Sequence, residues 1–513
     1  MRSHAVAVLL CLSILVSAPS VLATESQANA ADDVQSMDVR YVVDRLPEQV
    51  GRVQVTAVVD VPDRVSDLSV RTPTNTTVLS ADGLASTGSR WRWDGSSNTV
   101  SVTYTVPVGL RTAYGQRTAD TAEWALVVRR EVALHARWRW QAGPDPGWNE
   151  TMAVAAGQRG VGGETAVFVG PHETITRTTP DGTVRLVVPD AATLEPDPVA
   201  VLDTIEDAQR STTIGDAHDA VTILVTPNSL AVGGYTPSNG APVALVNAGE
   251  RVGVPTNVWV HEYRHTRQTY RTSAGMAWLE EGSADYYAAR MTYQQGRIDY
   301  DRYRRRVTTD RYRDADLTRP STWSSPDVQY DKGTRVVAAL DVHIRQATDG
   351  ERTFATVLRR LSRSDERLTL SVFAETVSAV AGQDLDAFVR QAVTGPAPSV
   401  PADPDGDGVS THAERQRGTD PYRATMGDGS DDRTAARIDG TAWPQSEEQL
   451  SDDRTATDRL GVANGSGDGA DRGTPERPHA PLPLWLAVLA VWLVLTGLLW
   501  RDRPGRLPGR RHR

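Results

Sequence analysis

Residues 261–265 read His-Glu-Tyr-Arg-His, and this pentad constrains the fold more tightly than any other segment of the 513-residue chain. On an α-helix, side chains four apart share a face, so His261 and His265 would converge on one point with Glu262 beside them. The apolar Val258-Trp259-Val260 leads into the pentad, as suits a helix packed into a domain, and Pro255 is expected in its first turn. Two imidazoles do not complete a catalytic zinc site, which takes three protein ligands and keeps one position open. The third should be a nearby carboxylate, and Glu281 follows in Trp278-Leu279-Glu280-Glu281-Gly282-Ser283-Ala284-Asp285-Tyr286. Two imidazoles with one carboxylate favour Zn2+ over softer or harder metals. The pentad alone also fits a surface helix with two unrelated histidines. A glutamate on a second expected helix at suitable range tells against that.

Around this segment the chain divides by pattern. Residues 36–180 are rich in β-branched and aromatic residues, as in Val53–Val59, Thr99–Val106 and Ala133–Trp140, with turn clusters such as Asp94–Asn98 between them. They predict an antiparallel, β-sandwich-like domain with no catalytic constellation; His135 and His172 stand alone there. Residues 183–396 turn mixed and then helical. Strands are expected at Thr183–Val188, Val221–Val225 and Ala244–Val246, and helices at Pro198–Arg210, Met276–Gln294, Gly333–Ala347, Thr353–Leu361 and Asp384–Val393. A small sheet followed by a helical half makes the class α+β.

With the pentad, Trp278-Leu279-Glu280-Glu281-Gly282-Ser283-Ala284-Asp285-Tyr286 resembles the gluzincin metallopeptidases, the clan of thermolysin, aminopeptidase N and the glycyl aminopeptidases. The resemblance implies a thermolysin-like catalytic domain over 183–396, a peptide or protein substrate, and Glu281, directly before Gly282, as third ligand. It implies that Glu262 is the general base. Asp285 would accept a hydrogen bond from a ligand histidine and fix its tautomer. Tyr330-Asp331-Lys332-Gly333 resembles the Tyr-x-Lys-Gly of the aminopeptidase N and glycyl aminopeptidase families, which makes Tyr330 the stabiliser of the oxyanion. Lys332 is the only lysine in the chain. The aminopeptidase strand whose glutamate binds a free amine has no counterpart here: Gly233-Gly234-Tyr235 and Ala241–Val246 offer no such residue, although Ala241–Val246 could pair with an extended substrate as an edge strand. A catalytically inactive surface or adhesion protein, and a zinc hydrolase of a non-peptide substrate such as an epoxide, remain as alternative readings.

The ends carry their own signals. Arg2 and His4 precede an apolar run, Ala5–Val16, and Val21-Leu22-Ala23 offers a cleavage point, so 1–23 reads as a signal peptide, with Ala30 a second possible cut. Pro481–Trp500 is uncharged and long enough to cross a bilayer as a helix, with Trp485 and Trp500 towards its ends. The arginines of 501–513 place the tail in the cytoplasm and the catalytic part outside, in a single-pass membrane protein. Cys11 is the only cysteine and lies in the signal segment, so a mature metal site must use His and carboxylates. The net charge of -10, with scarcely any lysine, resembles halophile proteins and argues against a nucleic-acid partner. Asn75, Asn149 and Asn464 begin glycan sequons.

Between domain and membrane, Asp403-Pro404-Asp405-Gly406-Asp407-Gly408-Val409 and Glu414 place oxygens at loop positions 1, 3, 5, 7 and 12 with Gly at 6, the Ca2+-loop spacing. The segment 397–435 resembles thrombospondin type 3 and dockerin-like repeats, with a degenerate second half around Asp428–Asp432. Residues 436–479 read as a disordered acidic stalk.

Overall fold

Alternation of valine with polar residues builds the first part of the molecule. Arg52–Asp60 buries Val53, Val55, Ala57 and Val59 on one face, the period-2 pattern of a half-buried strand. The computed structural model describes residues 36–422, apart from 113–114, 212–214, 216, 231–232, 238–239 and 420. The expected signal peptide, stalk, membrane helix and basic tail, with Asn464 and Asp428–Asp432, lie outside the described residues. So does the whole of a second unit, 445–513. Among the described residues no helix is long and apolar enough to cross a membrane.

The first sheet has the strand order Trp148–Val154, Met37–Arg45, Arg52–Asp60, Thr99–Pro107, Thr77–Asp82. Its pairs are antiparallel except Met37–Arg45 with Trp148–Val154, which run parallel, against the all-antiparallel expectation. A second sheet, ordered His135–Trp140, Val65–Arg71, Trp91–Trp93, Leu84–Ser86, shares a valine-rich core with it. A third, containing Ala125–Val128 and Ala166–Val169, turns Val127 and Val167 into that core and Leu126 and Phe168 away from it.

Leu126, Phe168 and Trp124 pack against Val187, Leu224, Val243 and Leu245 of a further sheet. Its strands are β1 (His172–Thr179), β2 (Gly182–Pro189), β3 (Ala220–Thr226), β4 (Gly234–Tyr235) and β5 (Val243–Asn247), in the order β1-β2-β3-β5-β4. The three inner strands are parallel and both edge strands antiparallel to their neighbours. Two sequence expectations change here. Residues 172–179, grouped with the N-terminal β-rich part, form an edge of this sheet instead. Within Ala241–Val246, expected as a possible edge strand, Leu245 and Val246 pair with β4, whose outer side forms the edge there.

The opposite face of the sheet carries α1 (Pro198–Ser211) and α2 (Val258–His265) through Val201, Ile205, Trp259 and Tyr263. Beyond them lies the helical half: α3 (Trp278–Gln294), α4 (Tyr300–Val307), α5 (Val328–Ala347), α6 (Phe354–Ser362), α7 (Leu370–Ala381) and α8 (Asp386–Thr394), which share one core. The chain then returns over this half, where α9 (Thr411–Arg417) is the last helix among the described residues.

Candidate metal centre

Helix α2 begins at a cap that also ties it to its neighbour. The Asn257 side chain accepts from Val260 N and donates to Thr292 Oγ1 of α3 at 3.1 Å, which satisfies a first-turn amide and fixes the pair. Pro255 therefore precedes the cap and is not in the first turn. Trp259 and Tyr263 face the sheet, and Val260 faces the helical core. The remaining face presents His261, Glu262 and His265, each buried.

Helix α3 supplies the carboxylate. His261 Nε2 lies 3.1 Å from Glu281 Oε2, His265 Nε2 lies 3.3 Å from the same oxygen, and the two Nε2 atoms are 3.1 Å apart. The neighbouring Glu280 turns away, accepting from Thr272 Oγ1 at 2.7 Å. A tetrahedral zinc with ligands about 2.0–2.1 Å away needs donor atoms about 3.3 Å apart. The triangle of donors fits that requirement, and so does its chemistry, two imidazole nitrogens and one carboxylate oxygen.

The tautomer of His265 is set from behind. Gln268 Nε2 donates to Glu280 O at 2.8 Å and to Ser283 Oγ at 3.1 Å, so its Oε1 accepts from His265 Nδ1 at 2.7 Å. That leaves the Nε2 lone pair free to face the triangle. Burial would lower the His265 pKa, but the Glu281 carboxylate overrides it and the group is pushed up to about 9. Burial would likewise raise Glu281, yet the two imidazoles hold it well below the usual carboxylate range.

Asp285 does not take the place expected of it. Its Oδ2 accepts from Arg306 of α4 and from Thr334 Oγ1 at 2.7 Å; among the described residues its hydrogen bonds do not reach the ligand histidines. The i,i+4 spacing from Glu281 puts the carboxylate on the correct face, but the guanidinium is a nearer and stronger partner. Gln268 is one residue the sequence reading missed. Its only signal was a polar side chain one turn after His265.

Glu262 Oε2 accepts from Thr236 Oγ1 at 2.8 Å. A Cβ added at Gly234 would come within 2.5 Å of Glu262 Oε1, so only glycine lets β4 pass this close to the carboxylate. Burial raises the Glu262 pKa; His265 and His261 pull it back, Glu281 adds to it, and the Thr236 hydrogen bond lowers it.

Tyr330 arrives on the first turn of α5, its ring centred 6.0 Å from that of His261. Two glycines make this approach possible. A Cβ on Gly282 would meet Gly333 Cα at 2.9 Å, and one on Gly333 would meet Gly282 Cα at 3.1 Å, so α3 and α5 cross nearly backbone to backbone. Glu281 and Tyr330 sit just before this contact on their two helices. Lys332 plays no part in the centre itself. Its buried ammonium donates to the carbonyls of Ala315, Val393 and Gly395, and burial lowers it to about 8.

No protein-family model and no curated protein matches the sequence. The structure of an aminopeptidase N family protein from Idiomarina loihiensis matches at 12% identity, covering 72% of this chain and 77% of that one, with a TM-score of 0.51. The two share a fold. An M1 zinc metallopeptidase from Deinococcus radiodurans matches at 15% identity over 72% of this chain and 95% of that one. Its TM-score of 0.46 is too low to add to the argument. The likeness is thus one of architecture, a mixed α+β chain with several sheets ahead of a helical half, and the chemistry rests on the residues of this chain.

Proposed function

We propose that the chain is a zinc metallopeptidase, its catalytic part outside the cell membrane and anchored by the apolar segment 481–500. The observation that carries the activity is the triangle of donor atoms, 3.1–3.3 Å on each side, with Glu262 buried against it. The shared fold with an aminopeptidase N family protein supports the same reading.

A zinc ion held by His261, His265 and Glu281 would supply Lewis acidity toward a water molecule and toward a carbonyl oxygen. Glu262 takes the proton of the attacking water and passes it to the leaving amine. Its burial raises its pKa above the ordinary carboxylate value, which makes it a stronger base toward the water's proton. Thr236 holds one Glu262 oxygen in place. The Tyr330 hydroxyl donates to the oxyanion formed at the scissile carbonyl, a contribution of about 3 kcal/mol for one such donor. The outer side of β4, beside Glu262, offers an edge along which an extended peptide can pair.

The test is Glu262→Gln, which keeps the side-chain volume. Zinc content should match wild type while cleavage of a peptide library falls about 10³-fold. Cleavage at the wild-type rate would contradict the assignment.

A further inference from the structure

The segment that follows the helical half is laid over the C-terminal end of α5. Arg304 donates to Val400 O and to Pro401 O, and Gln346 Nε2 donates to Asp403 O at 2.8 Å. Further on, the Tyr422 ring lies under two cations, 4.5 Å from the Arg290 guanidinium and 5.0 Å from that of Arg345. These two arginines hold Asp341, a fully buried carboxylate of α5. Residues 400–422 therefore form a strap that closes one end of the same helix whose other end carries Tyr330.

Within the strap, carboxylate oxygens of Asp403, Asp405 and Asp407 lie within 4.8 Å of one another. Thr411 N donates to Ala402 O at 2.9 Å and closes the turn, with Gly406 at φ +78° and Gly408 at φ +87°. A turn with acidic side chains is not yet a site. The second observation is Asp405, which is only 5% exposed and whose Oδ2 is buried without a hydrogen-bond donor among the described residues. A carboxylate oxygen so placed, facing two other carboxylates, is unfavourable unless a cation meets it. Glu414, at loop position 12, is fully buried on the first turn of α9, outside the group of three aspartates whose oxygens lie within 4.8 Å of one another.

We propose that Asp403, Asp405 and Asp407, together with the Val409 carbonyl and Glu414, bind one Ca2+ that locks the 400–422 strap onto α5. All-oxygen donors at positions 1, 3, 5, 7 and 12 suit a hard cation of flexible coordination, and glycine at position 6 allows the sharp turn. The site is independent of the zinc centre: it uses other residues and another donor chemistry.

The experiment uses the full chain, freed of loosely held divalent ions and then loaded with zinc. Calcium is titrated calorimetrically, and the thermal midpoint is read with and without 5 mM Ca2+. One calcium per chain should bind beyond the zinc, with a dissociation constant of about 10⁻⁴–10⁻³ M or tighter. The midpoint should rise by about 3 °C or more. Limited proteolysis should show cuts within 400–422 slowed by calcium. The double variant Asp405→Asn, Asp407→Asn should lose the calorimetric signal and the midpoint shift while still binding one zinc. The proposal is overturned if calcium gives neither heat nor midpoint shift in wild type, or if the double variant responds as wild type does. Zinc content is read in the same samples, so failure of the calcium site and failure of the zinc site are told apart.

Discussion

The β-rich part and the helical half bury different chemistry. The core shared by the first two sheets is almost wholly aliphatic, with Val39, Val53, Val55, Val59, Val100 and Val102 at its centre. In α2 and the helical half, by contrast, the buried residues include His261, Glu262, Arg264, His265, Arg267, Asp285, Arg290, Asp331, Lys332, Asp341 and Arg345. A buried charge is tolerated only when it is paired and hydrogen-bonded, and here most have named partners. Asp341 accepts from Arg290, Arg345, Tyr286 and the Phe354 amide. Arg267 reaches Asp181, Tyr263 and Gly215 O. The sandwich is stabilised by area removed from water; the helical half spends part of its interior on fixing side chains in place. The donors of the proposed metal centre come from that second kind of interior.

Two substitutions sharpen this contrast. The larger effect is expected at Asp341→Asn, which leaves two buried guanidinium groups short of their counter-charge and should cost about 3–5 kcal/mol, measured by denaturant unfolding. Asp341 is held far below the ordinary carboxylate pKa: burial alone would raise it, but Arg345 and Arg290 overcome that. Its contribution is therefore complete above the unfolded pKa of about 3.9 and is lost as pH falls below it. The variant should lose part of the acid sensitivity of stability as well as stability itself. A cost below about 1 kcal/mol with an unchanged acid profile would break the comparison, since the helical half would then behave like the sandwich.

A smaller and more local effect is expected at Gln268→Ala. Removing the acceptor behind His265 Nδ1 should weaken zinc about 10- to 100-fold in a competition titration with a chelator, with little change in the unfolding midpoint of the zinc-free protein. A large fall in midpoint with unchanged zinc affinity would make Gln268 a packing residue.

The same contrast explains how much could be read from the sequence. Valine alternating with polar residues marked the strands at 53–59 and 99–106 because one face of each is apolar and the other is not. The assignment of 172–179 failed because strand alternation does not say which sheet a strand joins. Helix α3 shows little amphipathic pattern, since charged and aromatic residues are buried all round it. The start of α5 at Val328, five residues before Gly333, was hidden because Gly333 looks like a helix boundary and is instead a crossing contact with Gly282. His261, His265 and Glu281 were legible because spacing on two helices places donors directly. Asp285 was misread because its partner, Arg306, comes from α4, a segment not singled out as a helix from the sequence.

The central claim is that His261, His265 and Glu281 hold one transition-metal ion. The most direct measurement is the metal content of the full chain by elemental analysis after purification and after reloading. The account predicts one zinc per chain in wild type, and loss of that zinc on Glu281→Ala with the fold retained. A well-folded wild-type protein that carries no transition metal and takes up none on reloading would contradict it.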